Sequence, residues 1–102
     1  MALGSETRSL GQRIAEGHAF KKHFEKGEFK DLGIKTREDF ARHIDNVVAK
    51  ATGSNVRNLS RGRTAYWDDA TGTVVIHDPK SPDLGTAFRP AEGKRYFTDV
   101  LD

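Results

Sequence analysis

The sequence predicts one α+β domain in which N-terminal helices pack on one face of a twisted antiparallel sheet of four to five strands. The first half of the chain carries helix-forming residues with apolar side chains at helical spacing. After Gly53 the pattern changes to short β-rich runs separated by turn residues. The length of 102 residues is that of a single domain with a single core.

A first helix is predicted over residues 12–26, after a polar stretch that we expect to form a flexible lead-in over residues 1–10. The domain itself then spans residues 11–102. Gly27 is the expected C-cap, and Gly17 is the weak point of the helix, because glycine costs up to about 1 kcal/mol relative to alanine there. The positions on the apolar side of this helix are Leu10, Ile14, Gly17, Phe20 and Phe24.

A second helix is predicted to begin after Thr36, which with Asp39 resembles a capping box in which Asp replaces the usual Glu or Gln. Gly53 is expected to close this helix. Its apolar stripe follows a helical period and consists of Phe40, Ile44, Val47, Val48 and Ala51.

Strands are predicted in the second half of the chain, where β-branched and aromatic residues alternate with turn signals. The expected strands cover residues 56–60, 63–68, 73–78 and 86–89, with 95–100 as a fifth candidate. Residues 69–72 form the expected tight turn, and residues 79–85 form a longer loop.

The composition excludes several kinds of functional site but does not identify a function. The chain has 17 Lys and Arg against 15 Asp and Glu, so affinity for a polyanion requires local clustering of basic residues. The absence of cysteine excludes disulfides, thiolate nucleophiles and cysteine-based zinc sites. No apolar run approaches the ~20 residues of a membrane span, so we expect no membrane insertion, and passage across a membrane would require a larger carrier.

The segment 17–23 carries two histidines, His18 and His23, and two lysines, Lys21 and Lys22. Phosphodiester cleavage needs a base, an acid and positive charge, and these side chains supply all three without a metal. In an α-helix, however, the two imidazoles point about 140° apart. The alternative is a solvated basic face with a packed histidine. The spacing of the histidines suits no zinc pair, so we expect neither metal nor cofactor.

The predicted second strand begins with cations, a hydroxyl and two aromatic residues. Period-2 alternation places Arg63 and Trp67 on one face and Thr64 and Tyr66 on the other. Aromatic rings beside arginine suit stacking on bases and contact with phosphate in RNA. The alternative for Trp67, the only tryptophan, is a place in the core.

A later strand repeats this theme with Thr86 and Arg89, which could lie beside the strand of Thr64 and form a donor-lined floor for a phosphate. Tyr96 is a further candidate for stacking on a base. His43 and His77 are expected to be structural or merely exposed.

The order of these motifs resembles the C-terminal toxin domains of contact-dependent growth-inhibition and related polymorphic toxin systems, and more distantly colicin D. The resemblance spans about residues 10–100. It implies a fold similar to the barnase/EndoU/colicin/RelE superfamily, an RNase activity that is commonly directed at tRNA, and a tight immunity protein. The segments that carry it are 17–23, 36–40, 62–67, 72–76 and 85–90, ending near Gly93 and Tyr96.

In the colicin D type, a Lys-His pair on a helix works with a hydroxyl residue and a tryptophan on a strand. Lys22 and His23, with Thr64 and Trp67, match that pattern. A helical wheel instead favours His18, because it borders the apolar stripe while His23 would face solvent. Both histidines therefore remain candidates for the base, with His23 placed first.

The candidate residues, together with what the resemblance implies, predict a metal-independent tRNA endoribonuclease toxin that leaves a 2′,3′-cyclic phosphate. His23 or His18 would act as acid or base, and hydroxyl groups and cations would hold the phosphate. The expected partners are RNA, an immunity protein and, as a further candidate, a host translation factor. The toxin would be delivered as the C-terminal part of a secreted protein and act in the target-cell cytoplasm. The alternatives are an RNA-binding module, a DNase toxin, or an interaction domain for an acidic protein.

The expected catalytic residues are His23, His18, Lys22, Thr64 and Thr86, and the expected substrate-binding residues are Lys21, Arg63, Tyr66, Trp67, Arg89 and Tyr96.

Overall fold

A computed structural model of the chain describes residues 9–102. Helix α1 (Leu10–Glu16) begins with a reciprocal capping box: Ser9 Oγ accepts from Gln12 N at 3.1 Å, and Gln12 Oε1 accepts from Ser9 N at 2.9 Å. The end of the predicted lead-in therefore belongs to this helix. The rest of that predicted segment, residues 1–8, lies outside the described residues.

The predicted continuous helix over residues 12–26 is wrong, because Gly17 interrupts it with an extended backbone conformation. After the break the chain forms a π-helical turn (Phe20–Phe24), in which Glu25 N donates to Phe20 O at 2.8 Å. The turn then ends at Gly27, whose φ is +87°. The chain passes so close to Asp83 here that only glycine fits, because a Cβ on residue 17 would lie 2.7 Å from Asp83 Cβ.

Helix α2 (Arg37–Lys50) confirms the second predicted helix and its cap, since Thr36 Oγ1 accepts from Asp39 N at 3.0 Å. The helix ends before Gly53, which instead begins a 3₁₀ turn (Gly53–Asn55). At 14 residues, α2 is the longest helix of residues 9–102, and no helix there has the length and apolar character needed to cross a bilayer.

Four antiparallel strands form one sheet in the order β1-β2-β3-β4, which confirms the α+β class. The strands are β1 (Val56–Asn58), β2 (Thr64–Asp68), β3 (Thr73–His77) and β4 (Gly85–Phe88). The fifth strand candidate is wrong: Tyr96–Val100 forms a second π-helical turn. Phe97 in this turn is completely buried, so the segment is held by packing on the sheet and not by strand pairing.

The sheet is covered on both faces. Helices α1 and α2 pack on one of them, the helix face, while the C-terminal turn and Leu59 pack on the opposite face. Cross-strand partners share a face, so the register decides which side chains can meet. The sheet residues on the helix face are Thr64, Tyr66, Val75, His77 and Ala87, and those on the opposite face are Ala65, Trp67, Val74, Ile76, Thr86 and Phe88.

Candidate active site at the edge of strand β4

The segment after α1 runs alongside edge strand β4 and the loop before it. His18 bonds Asp83 ahead of the strand, and the His23 ring lies 5.5 Å from the ring of Phe88 at its end. Glu28 then contacts His23. We call these five residues, His18, His23, Glu28, Asp83 and Phe88, the edge cluster.

The π-helical turn (Phe20–Phe24) contains His23 but not His18, which lies two residues before it. The predicted divergence of about 140° between the two imidazoles holds for an ideal α-helix, and the chain departs from that geometry within this turn. Whether both imidazoles reach one phosphate therefore stays a prediction.

His23 is held in a fixed position by a carboxylate. Its Nδ1 lies 2.6 Å from Glu28 Oε2, and the backbone N–H of Glu28 donates to His23 O at 3.2 Å. The side chain of His23 is only 14% exposed. The expectation that His23 faces solvent while His18 borders the core is wrong, since Phe20 and Phe24 turn to the helical core and His23 contacts Phe88.

His18 forms a second and more exposed pair. Its Nδ1 lies 2.5 Å from Asp83 Oδ2, which also accepts from the backbone N–H of His18 at 3.3 Å. The His18 side chain is 54% exposed. Hydrogen bonds from the His18 side chain and backbone hold the pKa of the Asp83 carboxyl below its usual value. Asp83 is thus an acceptor over a wide pH range, and it fixes the orientation of the His18 ring.

The two pairs share one chemical arrangement. A carboxylate that accepts from Nδ1–H leaves the Nε2 lone pair of the imidazole free to take a proton. When the ring is protonated, Nε2–H becomes a donor that can act as an acid. Each of the two rings can therefore act as a base or as an acid in proton transfer.

The strand register separates Thr64 and Thr86, which were expected to donate hydrogen bonds to the same phosphate. Thr64 pairs with His77 and lies on the helix face, whereas Thr86 pairs with Ile76 and lies on the opposite face. The predicted joint role of Thr64 and Thr86 is therefore wrong, because a sheet lies between their side chains. Thr86 Oγ1 is buried and has no hydrogen-bond partner among the described residues.

The other expected binding residues of β2 point away from the edge cluster or are buried. Arg63 donates to Ser60 O at 3.1 Å and to Asp102 O at 2.8 Å. Tyr66 packs against the helical core. Trp67 is 5% exposed and its Nε1 donates to Asp69 at 2.6 Å, so its ring belongs to the core and offers no face to a base.

The remaining predicted residues lie closer to the edge cluster. Lys21 and Lys22 are exposed and form no ion pair within residues 9–102. Tyr96 meets Phe88 edge to face, with ring centroids 5.5 Å apart. Arg89 follows Phe88 directly, but its side chain is engaged with Glu28, Thr71 and Asp31.

The carboxylates that orient the histidines were absent from the sequence-based site. Glu28 lies five residues after His23, a spacing that means little in an α-helix and becomes a contact once the chain forms π-type hydrogen bonds. Asp83 lies 65 residues from His18, so no local signal could identify it.

A second polar network lies where α2 meets β3. His43 Nε2 is 2.9 Å from Thr73 Oγ1, which is 2.8 Å from Thr71 Oγ1, and Thr71 donates to Asp68 at 2.5 Å. Burial lowers the pKa of His43, and the charge of Asp68 partly offsets this effect. His43 was expected to be structural, and its contacts tie α2 to the sheet.

No three His, Asp or Glu side chains of the described part of the chain are arranged to share a metal ion. No protein-family model, curated protein or solved structure matches this chain. Function is therefore inferred from the geometry and chemistry of the side chains.

Proposed function

We propose that the protein is a metal-independent endoribonuclease whose acid and base are His18 and His23. The observation that carries the proposal is the pair of histidine–carboxylate contacts on one side of β4, at 2.5 Å for His18 and 2.6 Å for His23. Each carboxylate directs the free Nε2 of its imidazole away from itself, which is the state that proton transfer requires.

We assign the base to His23. Its ring is largely shielded from water, and a carboxylate partner stabilises the imidazolium that forms when the base takes a proton. His23 Nε2 would accept the proton of a ribose 2′-hydroxyl as the 2′-oxygen bonds to phosphorus. The bond from phosphorus to the 5′-oxygen breaks, and that oxygen takes a proton from His18. The products are a 2′,3′-cyclic phosphate and a 5′-hydroxyl.

Positive charge supports the same reaction. Lys21 and Lys22 directly precede His23 in the chain and are exposed, so their ammonium groups can contact phosphates. Thr86 Oγ1 has no hydrogen-bond partner within residues 9–102, but it is buried, so it could donate to a phosphate only after the surrounding side chains moved.

The substrate and partner rest on the resemblance to polymorphic toxin domains. We propose tRNA as the substrate, delivery by a larger secreted protein, action in the target-cell cytoplasm and neutralisation by a separate immunity protein. An acidic partner would complement Lys21 and Lys22, which lie next to His23 in the chain. Co-expression with the product of the neighbouring gene tests this part: a stable complex that prevents cleavage supports it, and no complex with unchanged toxicity contradicts it.

The central experiment is incubation of the purified protein with total tRNA in EDTA. We expect cleavage with cyclic phosphate ends, lost about 10²-fold to 10⁴-fold in His23→Gln. Asp99→Asn is a matched control, because Asp99 is an exposed carboxylate whose ion pair within residues 9–102 is with Arg95 at 3.8 Å. A gel shift without cleavage would favour an RNA-binding module, cleavage of DNA alone would favour a DNase, and neither would favour a protein-interaction domain.

A further inference from the structure

Arg89 is more tightly engaged with the protein than a phosphate-binding arginine would be. Its Nε donates to Thr71 O at 2.8 Å, and its Nη1 donates to Glu28 O at 2.9 Å and to Asp31 Oδ1 at 2.5 Å. An arginine that binds a phosphate in a bidentate manner donates from two neighbouring nitrogens of its guanidinium. Because Nε and Nη1 of Arg89 already donate to protein oxygens, Arg89 cannot bind a phosphate in this way without losing a contact with the protein.

These contacts converge on Glu28, the partner of His23. Arg89 holds Glu28 at two points, because its backbone N–H donates to Glu28 Oε1 at 3.2 Å and its side chain donates to Glu28 O at 2.9 Å. The other carboxylate oxygen, Oε2, lies 2.6 Å from His23 Nδ1. The side chain of Arg89 thus fixes the backbone from which the Glu28 carboxylate reaches the imidazole.

Two further contacts anchor the side chain of Arg89. The contact with Thr71 O ties it to the turn between β2 and β3, and the pair with Asp31 ties it to the chain just after Glu28. The hydrogen bond from Arg89 lowers the pKa of Asp31. The arginine side chain is 25% exposed and so is largely part of the packed structure.

The geometry points to Arg89 as a positioning residue that holds Glu28 against His23, and not as an RNA contact. Its kinetic consequence rests on the proposed function, but the positioning itself does not. An Arg side chain donates from several nitrogens in a planar fork, which here spans Thr71, Glu28 and Asp31, whereas a Lys ammonium cannot reproduce that fork.

The tautomer of His23 shows directly whether Glu28 is held against the imidazole, and its measurement requires no substrate. With Glu28 in place, neutral His23 carries its proton on Nδ1, because that nitrogen faces the carboxylate. Imidazole ¹⁵N chemical shifts of the free protein at high pH distinguish Nδ1–H from Nε2–H. We expect Nδ1–H in the wild type and a shift towards Nε2–H in Glu28→Gln, Arg89→Met and Arg89→Lys.

Arg42→Met is the matched control. Arg42 also pairs with an aspartate, Asp39 at 2.6 Å, but on the exposed surface of α2, so its loss should leave the His23 tautomer unchanged. If folded Arg89→Met keeps the Nδ1–H tautomer, the positioning role is wrong. If Arg89→Lys keeps it while Arg89→Met loses it, charge alone suffices and the fork is not needed, which also contradicts the proposal.

Kinetics separate positioning from RNA contact. If Arg89 is a positioning residue, its replacement should lower mainly kcat, by about 10-fold or more in both Arg89→Met and Arg89→Lys. If Arg89 instead contacts RNA, Arg89→Met should mainly raise KM and Arg89→Lys should stay close to wild type. This result would overturn the proposal. If the wild type cleaves no RNA, the proposed function fails while the tautomer measurement still decides the role of Arg89.

Discussion

His18 and His23 lie five residues apart in the chain, yet both contact strand β4 or the loop before it, His18 through Asp83 and His23 against Phe88. His23 lies within the π-helical turn (Phe20–Phe24), and His18 lies two residues before it. The two histidines differ in their surroundings, because the side chain of His18 is 54% exposed and that of His23 is 14% exposed.

Replacement of each histidine should have different effects on activity and stability. His23→Ala should lower cleavage about 10²-fold to 10⁴-fold and also lower the thermal midpoint, because it removes a packed ring as well as the proposed base. His18→Ala should lower cleavage with little change in the midpoint, since the ring is exposed. Both quantities are measured side by side. Two stable variants with near-native cleavage would place the chemistry elsewhere.

Gly17→Ala should disturb the His18 pair without introducing backbone strain, because φ at Gly17 is −92°. The new Cβ would lie 2.7 Å from Asp83 Cβ and Cγ. We expect a loss of about 1 kcal/mol or more in the free energy of unfolding, although alanine favours helix. Urea denaturation measures this loss.

A double-mutant cycle tests the cause of that loss. Gly17→Ala should be less destabilising in an Asp83→Gly background, because the atoms that the new Cβ meets are gone. An equal effect in both backgrounds would show that the close approach to Asp83 is not responsible.

Trp67→Phe should reduce stability and leave RNA binding unchanged. The variant loses the hydrogen bond from Nε1 to Asp69 and part of the packing against Phe97, so we expect a loss of about 1–3 kcal/mol. Urea denaturation gives the stability, and a gel shift with tRNA below the unfolding transition gives the affinity. Weaker binding by the folded variant would restore the stacking role that the sequence suggested.

His43 should make the protein less stable as the pH falls below neutrality. Burial lowers its pKa below 6.5 in the folded state, and Lys50 and Arg89 act in the same direction while Asp68 opposes it. The unfolded chain therefore binds the proton more readily. The stability that neutral His43 contributes is present above pH 6.5 and is lost as the pH falls towards the folded pKa.

Urea denaturation at a series of pH values from 8 to 5 measures this dependence. In His43→Gln the slope between pH 6.5 and 5 should be smaller, because the glutamine does not titrate. A second loss of stability is expected below pH 3.8, where carboxylates with lowered pKa such as Asp83 become protonated, and it should persist in the variant. An unchanged upper slope would exclude His43 as its source.

Local rules predicted the elements of the fold that depend on neighbours in the chain. Thr36 and the apolar stripe of α2 specify a helix on their own, and alternation with turn residues specifies the strands. The rules failed at two places where distant residues pack together. The first helix ends at Gly17, where the chain approaches Asp83 too closely for a side chain, and the residues around Phe97 form a helical turn that buries the Phe97 ring against the sheet.

The sequence by itself determined the class of the fold and the inventory of side chains: two histidines beside two lysines in one segment, and no cysteine. Only the tertiary structure decided which groups meet. Strand register placed Thr64 and Thr86 on opposite faces of the sheet. The turn after α1 placed His23 against Glu28, and the packing of this segment on the loop before β4 placed His18 against Asp83. The physical reason is that a local pattern reports the conformation of its own segment, whereas a contact between distant residues depends on how separate elements share one core.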